Sequence, residues 1–192
     1  MNTKIILLSL LLFVSLNANE KNFFISQGVG ISKHKVIITN KTGNIILDNQ
    51  PSNTGNSLNL ELGYRYSNNY FSTFSYSNLS YTEIEINNVL ISFNKRFKVY
   101  SFDPYVGILY GTSNLKLKKS LINGSTKQDD GQSNIYGIQF AIQKKVNTNS
   151  YIYLQYKYLK TNHKRVIQKS GDISELSRDN FNNISLGIKY DF

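Results

Sequence analysis

His34 and His163 are the only imidazoles in a chain of 192 residues that contains no cysteine. Nucleophilic catalysis needs a nucleophile, a base and a group that orients the base, all within hydrogen-bond reach. Ser32 stands two positions before His34, which on an extended strand puts both on one face. Glu61 is the acid a neighbouring strand would bring to them. No motif pairs these residues, and both histidines read as lying in or beside polar loops. Two imidazoles also fall short of a metal-ligand set. Asp129-Asp130-Gly131 has no EF-hand spacing around it and reads as a turn. The residue types therefore suggest no catalytic group, no metal and no cofactor, and the chain is not expected to be an enzyme.

Charge is the next signal. Lys and Arg number 22 against 12 Asp and Glu, a formal net charge of +10. Such a surplus ordinarily raises the question of nucleic acid. The N-terminus argues against that partner. Lys4 precedes an apolar core from Ile5 to Leu16, and Asn17-Ala18-Asn19 ends it with small and polar residues. This is the build of a secretory signal peptide over residues 1–18, with cleavage expected after Ala18. Its core is too short to span a bilayer as a helix, and no later apolar run is longer. Residues 19–192 then form one domain.

Within that domain the dominant pattern is alternation with period two. Apolar positions recur at Phe23, Ile25, Val29 and Ile31; at Leu58, Leu60, Leu62, Tyr64 and Tyr66; and at Tyr70, Phe74 and Tyr76. They recur again at Val89, Ile91, Phe93 and Phe97; at Val106, Ile108 and Tyr110; and at Tyr136, Ile138, Phe140 and Ile142. The last two sets are Ile152, Leu154, Tyr156 and Tyr158, then Ile184, Leu186, Ile188, Tyr190 and Phe192. Each segment has about the nine to eleven residues that a tilted strand needs to cross a bilayer. Gln27, Ser72 and Lys95 interrupt the apolar face, and Phe24, Phe71, Leu90 and Leu109 sit on the other one.

Alternation alone does not say which face is outside. The polar face is rich in glycine, at Gly28, Gly30, Gly63, Gly107, Gly111, Gly137 and Gly187. Glycine weakens a solvent-facing strand, whereas a narrow barrel lumen has room only for side chains that just fill it. The apolar face carries Tyr and Phe near strand ends, which suits two membrane–water interfaces. Short turns are expected at Ser67–Asn69, Lys98–Asp103 and Asn147–Asn149. Long loops are expected at Lys33–Asn56, Asn78–Asn88, Ser113–Ser133 and Lys160–Asn180. Such asymmetry puts both termini on the periplasmic side. The first long loop holds its own hairpin signal, Val36-Ile37-Ile38 against Ile45-Ile46-Leu47, read as an extension of the wall; a ten-stranded barrel is the alternative. The fold class is all-β, a closed antiparallel up-and-down eight-stranded transmembrane β-barrel.

Certain segments carry a family resemblance. Ser26-Gln27-Gly28-Val29-Gly30-Ile31, Leu62-Gly63-Tyr64-Arg65-Tyr66 and Pro104-Tyr105-Val106-Gly107 resemble strand motifs of the small outer-membrane β-barrel proteins of Gram-negative bacteria. That group includes the OmpA transmembrane domain, OmpX and the opacity-type adhesins. The ending, with Ile188, Tyr190 and Phe192 on alternate positions, is similar to its C-terminal insertion signal. The resemblance implies an outer-membrane location and the barrel assembly machinery as a partner in biogenesis.

Two charged sets follow from this reading. Glu61, Arg65, Arg96, Lys145, Lys157, Lys189 and Asp191 fall on the lumen face and are expected to form a polar network. Glu61 and Arg65 lie roughly 13 Å apart along one strand, so each must find partners elsewhere. If water threads the lumen, its cation surplus predicts a weak anion preference. Lys33, Lys35, Lys116, Lys118, Lys119, Lys164 and Arg165 lie in the long loops, where they suit lipopolysaccharide phosphates or plain solvent. Function in such a scaffold sits on its loops. A structural or surface-interaction protein, binding a host or surface ligand, is the first expectation. A narrow, porin-like channel is the second, obstructed by Leu90, Tyr105, Leu109 and Tyr153. A lipid-modifying enzyme is the third.

Overall fold

The structure is a computed structural model that describes residues 22–42, 45–49, 52–82, 84–117, 131–169 and 172–192. The side chains of 35–53, 117 and 162–179 lie outside that description, as do the expected signal peptide (1–18), Lys118, Lys119 and the turn expected at Asp129-Asp130. All described elements are strands: β1 (Phe23–Thr42), β2 (Ile45–Asn49), β3 (Ser52–Arg65), β4 (Tyr70–Ser80), β5 (Ile84–Arg96), β6 (Asp103–Leu117), β7 (Gly131–Lys145), β8 (Ser150–Lys169) and β9 (Asp172–Asp191).

Consecutive strands pair antiparallel from β3 to β9, and β1 pairs with both β3 and β9, closing the sheet on itself. Closure gives each of β1 and β3 to β9 a partner on both sides, as hydrocarbon requires. β2 pairs with the far end of β1, from Ile38↔Asn49 to Thr42↔Ile45, and continues the wall begun by β3. The barrel therefore has eight staves, and the internal hairpin extends one of them. Bulges occur between His34 and Val36 and between Lys160 and His163.

One rim is made of tight turns. Ser67 Oγ accepts from the amides of Asn69 and Tyr70 at 3.3 and 3.2 Å. Asn147 Oδ1 does the same for Asn149 and Ser150 at 3.0 and 2.8 Å. These side chains replace backbone bonds that a reversing chain loses. In the third turn Val99 and Phe102 exchange backbone bonds of 3.0 Å, with Tyr100 between them at φ 54°.

The opposite rim corrects the loop expectation. Segments that read as loops are in large part paired strand: β4 runs to Ser80 and β5 restarts at Ile84, while β8 and β9 remain paired from Lys164↔Ser177 to Lys169↔Asp172. The physical reason is a change of sidedness. In the lower wall Ile91, Ile108, Leu186 and Ile188 are each at least 61% exposed on the outer face. Higher up, that same outer face carries Asn78, Glu85, Asn87, Asn114 and Lys116. Inside, at the same heights, Leu79, Tyr81, Ile84, Ile86 and Leu115 are buried. The strands keep their register, but apolar and polar residues exchange faces. A wall with acyl chains outside wants its apolar side chains outward; one with water outside wants them inward.

Candidate functional site

The middle of the lumen is polar and extensively hydrogen-bonded. Lys157 Nζ donates to Glu61 Oε1 at 2.7 Å. Gln155 Nε2 reaches the same oxygen at 3.3 Å, and Ser26 Oγ reaches Oε2 at 3.3 Å. Gln155 Nε2 also lies 3.1 Å from Tyr105 Oη and 3.2 Å from Gln139 Oε1. Gln139 in turn donates to Asn94 and to Ser92, and Ser92 shares a 2.7 Å bond with Thr73. Seven strands thus meet in one network. Both ions are buried, and the extra donors on Glu61 supply what a desolvated pair requires.

Above this layer the lumen is apolar. Leu79, Tyr81, Ile84, Ile86, Leu90, Leu109, Leu115, Ile135, Leu159 and Phe181 pack into one buried cluster. His34 belongs here. It is 2% exposed, with its ring edge-on to Tyr81 at 4.1 Å and tilted to Phe181 at 6.0 Å. The expectation of a loop histidine in polar surroundings is therefore corrected: β1 continues past it, turning its ring into the upper core. Ser32 Oγ accepts from Tyr81 at 2.7 Å and donates to the Asn182 carbonyl at 3.3 Å. Ser32 and Glu61 are thus committed to structural partners, which leaves no acyl-transfer arrangement among them.

Below the polar layer lies a second apolar cluster of Phe24, Phe71, Tyr105 and Ala141. Phe24 meets Phe71 edge-on at 5.5 Å, and Phe71 meets Tyr105 at 5.1 Å. The Phe24 ring occupies space that a Cβ on Gly63 would need, 2.0 Å from the ring's Cζ. Tyr153 similarly lies over both Gly28 and Gly187, within 2.5 Å of each position's absent Cβ. Gly28, Gly63 and Gly187 thus make room for rings. Lys189 is buried among the rings of Phe24 and Tyr151, 4.8 Å from each, and donates to Gln143 Oε1.

The short-turn rim opens into a recess of about 980 Å³. On its wall Arg65 NH2 meets Asp191 Oδ1 at 2.5 Å. Arg96 donates through Nε and NH2 to the Asn68 carbonyl at 2.9 and 2.5 Å, with Asp103 3.9 Å away. Lys98, Tyr100, Lys144, Lys145 and Tyr151 complete the lining that bears on its chemistry. Lys145 was expected within the lumen network and is instead exposed at this mouth. It keeps the inward phase of Ala141 and Gln143, but β7 ends there and the wall stops enclosing it.

The structure brings Glu61 to Lys157 and Arg65 to Asp191, each pair spanning different strands as the strand geometry requires. Arg96 reaches Asp103, and Lys189 reaches Gln143. Asp103 and the glutamines were missed. The inward phase of the glutamines is legible, but their neutral side chains carry no charge signal, and Asp103 falls in a segment that reads as a turn. Lys33 and Lys116 are exposed on the outer wall. Of Lys35, Lys164 and Arg165 only the backbone is described, within β1 and β8. At the C-terminus Ile188 and Tyr190 face outward, and Tyr190 meets Phe192 edge-on at 5.4 Å.

A closed barrel with an apolar exterior and a hydrogen-bonded interior is an integral membrane barrel. The model of the outer membrane protein beta-barrel domain matches residues 5–192, and the chain belongs to that family, which locates it in the Gram-negative outer membrane. Among solved structures it is similar to Neisserial surface protein A, with 14% identity over 88% of this chain and 97% of that one, at a TM-score of 0.60. It is also similar to the outer membrane protein OprG from Pseudomonas aeruginosa, with 13% identity, 89% and 96% coverage, and a TM-score of 0.61. No curated protein matches it. Identities this low carry the fold alone.

Proposed function

We propose that the barrel is a non-catalytic outer-membrane anchor whose long hairpins form a surface-interaction platform. The exchange of faces along the strands supports this most. A wall that buries Ile86, Leu115 and Phe181 and presents Asn87, Asn114 and Lys116 outward is a folded, water-facing extension beyond the acyl chains. Paired strands at such a rim can position side chains for a binding surface. Its cations suit the phosphates of lipopolysaccharide, with Lys33, Lys35, Lys116, Lys118, Lys119, Lys164 and Arg165 as the contacts. A host or surface ligand is the further partner this platform would take, and the barrel assembly machinery is the proposed partner in biogenesis.

The test replaces these seven residues with Gln and measures binding of the folded barrel to lipopolysaccharide micelles. Weakened binding that also loses its salt dependence supports the platform; unchanged binding overturns the assignment. The channel reading is weaker because the buried clusters around Leu90 with Leu109 and around Phe24 with Phe71 lie in series along the lumen. Planar-bilayer recordings separate the two: silence accords with an anchor, and steady ionic conductance with a channel.

A further inference from the structure

We infer that the recess at the short-turn rim is a binding site for a small multivalent anion, phosphate- or carboxylate-bearing, that enters from the periplasm. Its lining holds five cationic side chains against two carboxylates, around a concavity of about 980 Å³. The carboxylates are already engaged, Asp191 by Arg65 at 2.5 Å and Asp103 beside Arg96 at 3.9 Å. Among the described residues Lys98, Lys144 and Lys145 enter no ion pair. Low-dielectric walls focus the field of such a surplus into the concavity.

A second observation points the same way from below. Lys189 is 6% exposed, and among the described residues no carboxylate lies within 4.0 Å of it. Its hydrogen-bond acceptor is the neutral Gln143, and its cage is aromatic. A buried ammonium that no carboxylate contacts directly gains from further negative charge nearby. Tyr151 joins the two features, lining the recess and lying 4.8 Å from the Lys189 ammonium. An anion in the recess would offset the cation surplus of the mouth and lie close enough to act on Lys189 as well. Tyr100, fully exposed at the rim with φ 54°, is held where an L residue is disfavoured and offers a flat face at the entrance.

The test is isothermal titration calorimetry of the folded, full-length mature protein with inorganic pyrophosphate and, separately, with citrate. It is run in a neutral, phosphate-free detergent and again in discs containing phosphatidylglycerol. The variants are the exposed triple K98Q/K144Q/K145Q and, as a control on the outer wall, Lys160→Gln. The inference expects saturable binding that the triple variant weakens about tenfold, the effect of losing three partly screened charges, and that Lys160→Gln leaves alone. Binding weaker in the anionic discs than in detergent assigns the site to a lipid headgroup; equal binding assigns it to a free anion. The preferred probe separates phosphate from carboxylate. No saturable binding, or equal affinity in the triple variant, overturns the inference.

Discussion

Lys157 and Glu61, 96 residues apart in sequence, form a 2.7 Å ion pair at the centre of the barrel, and both are almost wholly withdrawn from solvent. Removing one partner strands the other. Lys157→Met is expected to destabilise the barrel by about 3–5 kcal/mol. The double variant E61Q/K157M, which strands no charge, should recover most of that. Urea unfolding in lipid vesicles measures both; equal losses in the single and double variants would count against the pair's isolation from water.

Gly63 faces the Phe24 ring across the β1–β3 ladder. A methyl group there meets ring carbons at 2.0 and 2.4 Å, so the ring must leave its place against Phe71. Gly63→Ala should cost about 1–3 kcal/mol, the usual range for overpacking. Adding Phe24→Leu should restore part of it. If Gly63→Ala unfolds at the wild-type urea concentration, the ring does not occupy that space.

Ile86 and Ile91 share β5 but face opposite ways, 0% and 62% exposed. Ile86→Ala leaves a void in the upper core and is expected to cost about 2–4 kcal/mol. Ile91→Ala leaves space that acyl chains fill, so its cost should be much smaller. Similar losses at the two sites would contradict the assigned faces.

The height of the lipid belt can be tested with charge. Ile108→Lys puts an ammonium on the outer wall among apolar neighbours and should cost about 2–4 kcal/mol if it lies near the bilayer midplane. Asn87→Lys, also outward but above the belt, should be close to neutral. Comparable penalties would place Asn87 in hydrocarbon too.

Much of this was legible in the residues. The membrane-facing alternation, the short turns at Ser67–Asn69 and Asn147–Asn149, and the inward placement of Phe24, Phe71, Leu90 and Leu109 all follow from period two. The upper wall was less legible because the same alternation inverts: Leu79 and Tyr81 continue the inward phase of Ser75 and Ser77, so the apolar signal slips by one residue and reads as a strand end. His34 was misplaced for that reason. Alternation gives Lys145 the right face, but a face says nothing of where a wall stops. The mouth of the barrel, assembled from Arg65, Lys98, Lys144 and Asp191, draws on four separate chain segments, and pairing across a closed sheet is not written in any one of them.

The exchange of faces along single strands is the claim on which the account rests. The chain has no cysteine, so single cysteines placed from Ile84 to Arg96 can carry a nitroxide label whose collisions with oxygen and with a water-soluble nickel chelate are measured in lipid vesicles. Labels at 89, 91 and 93 should meet oxygen, labels at 85 and 87 the chelate, and labels at 84, 86 and 90 neither. Lipid-like accessibility at 84, 86 and 90 would contradict it.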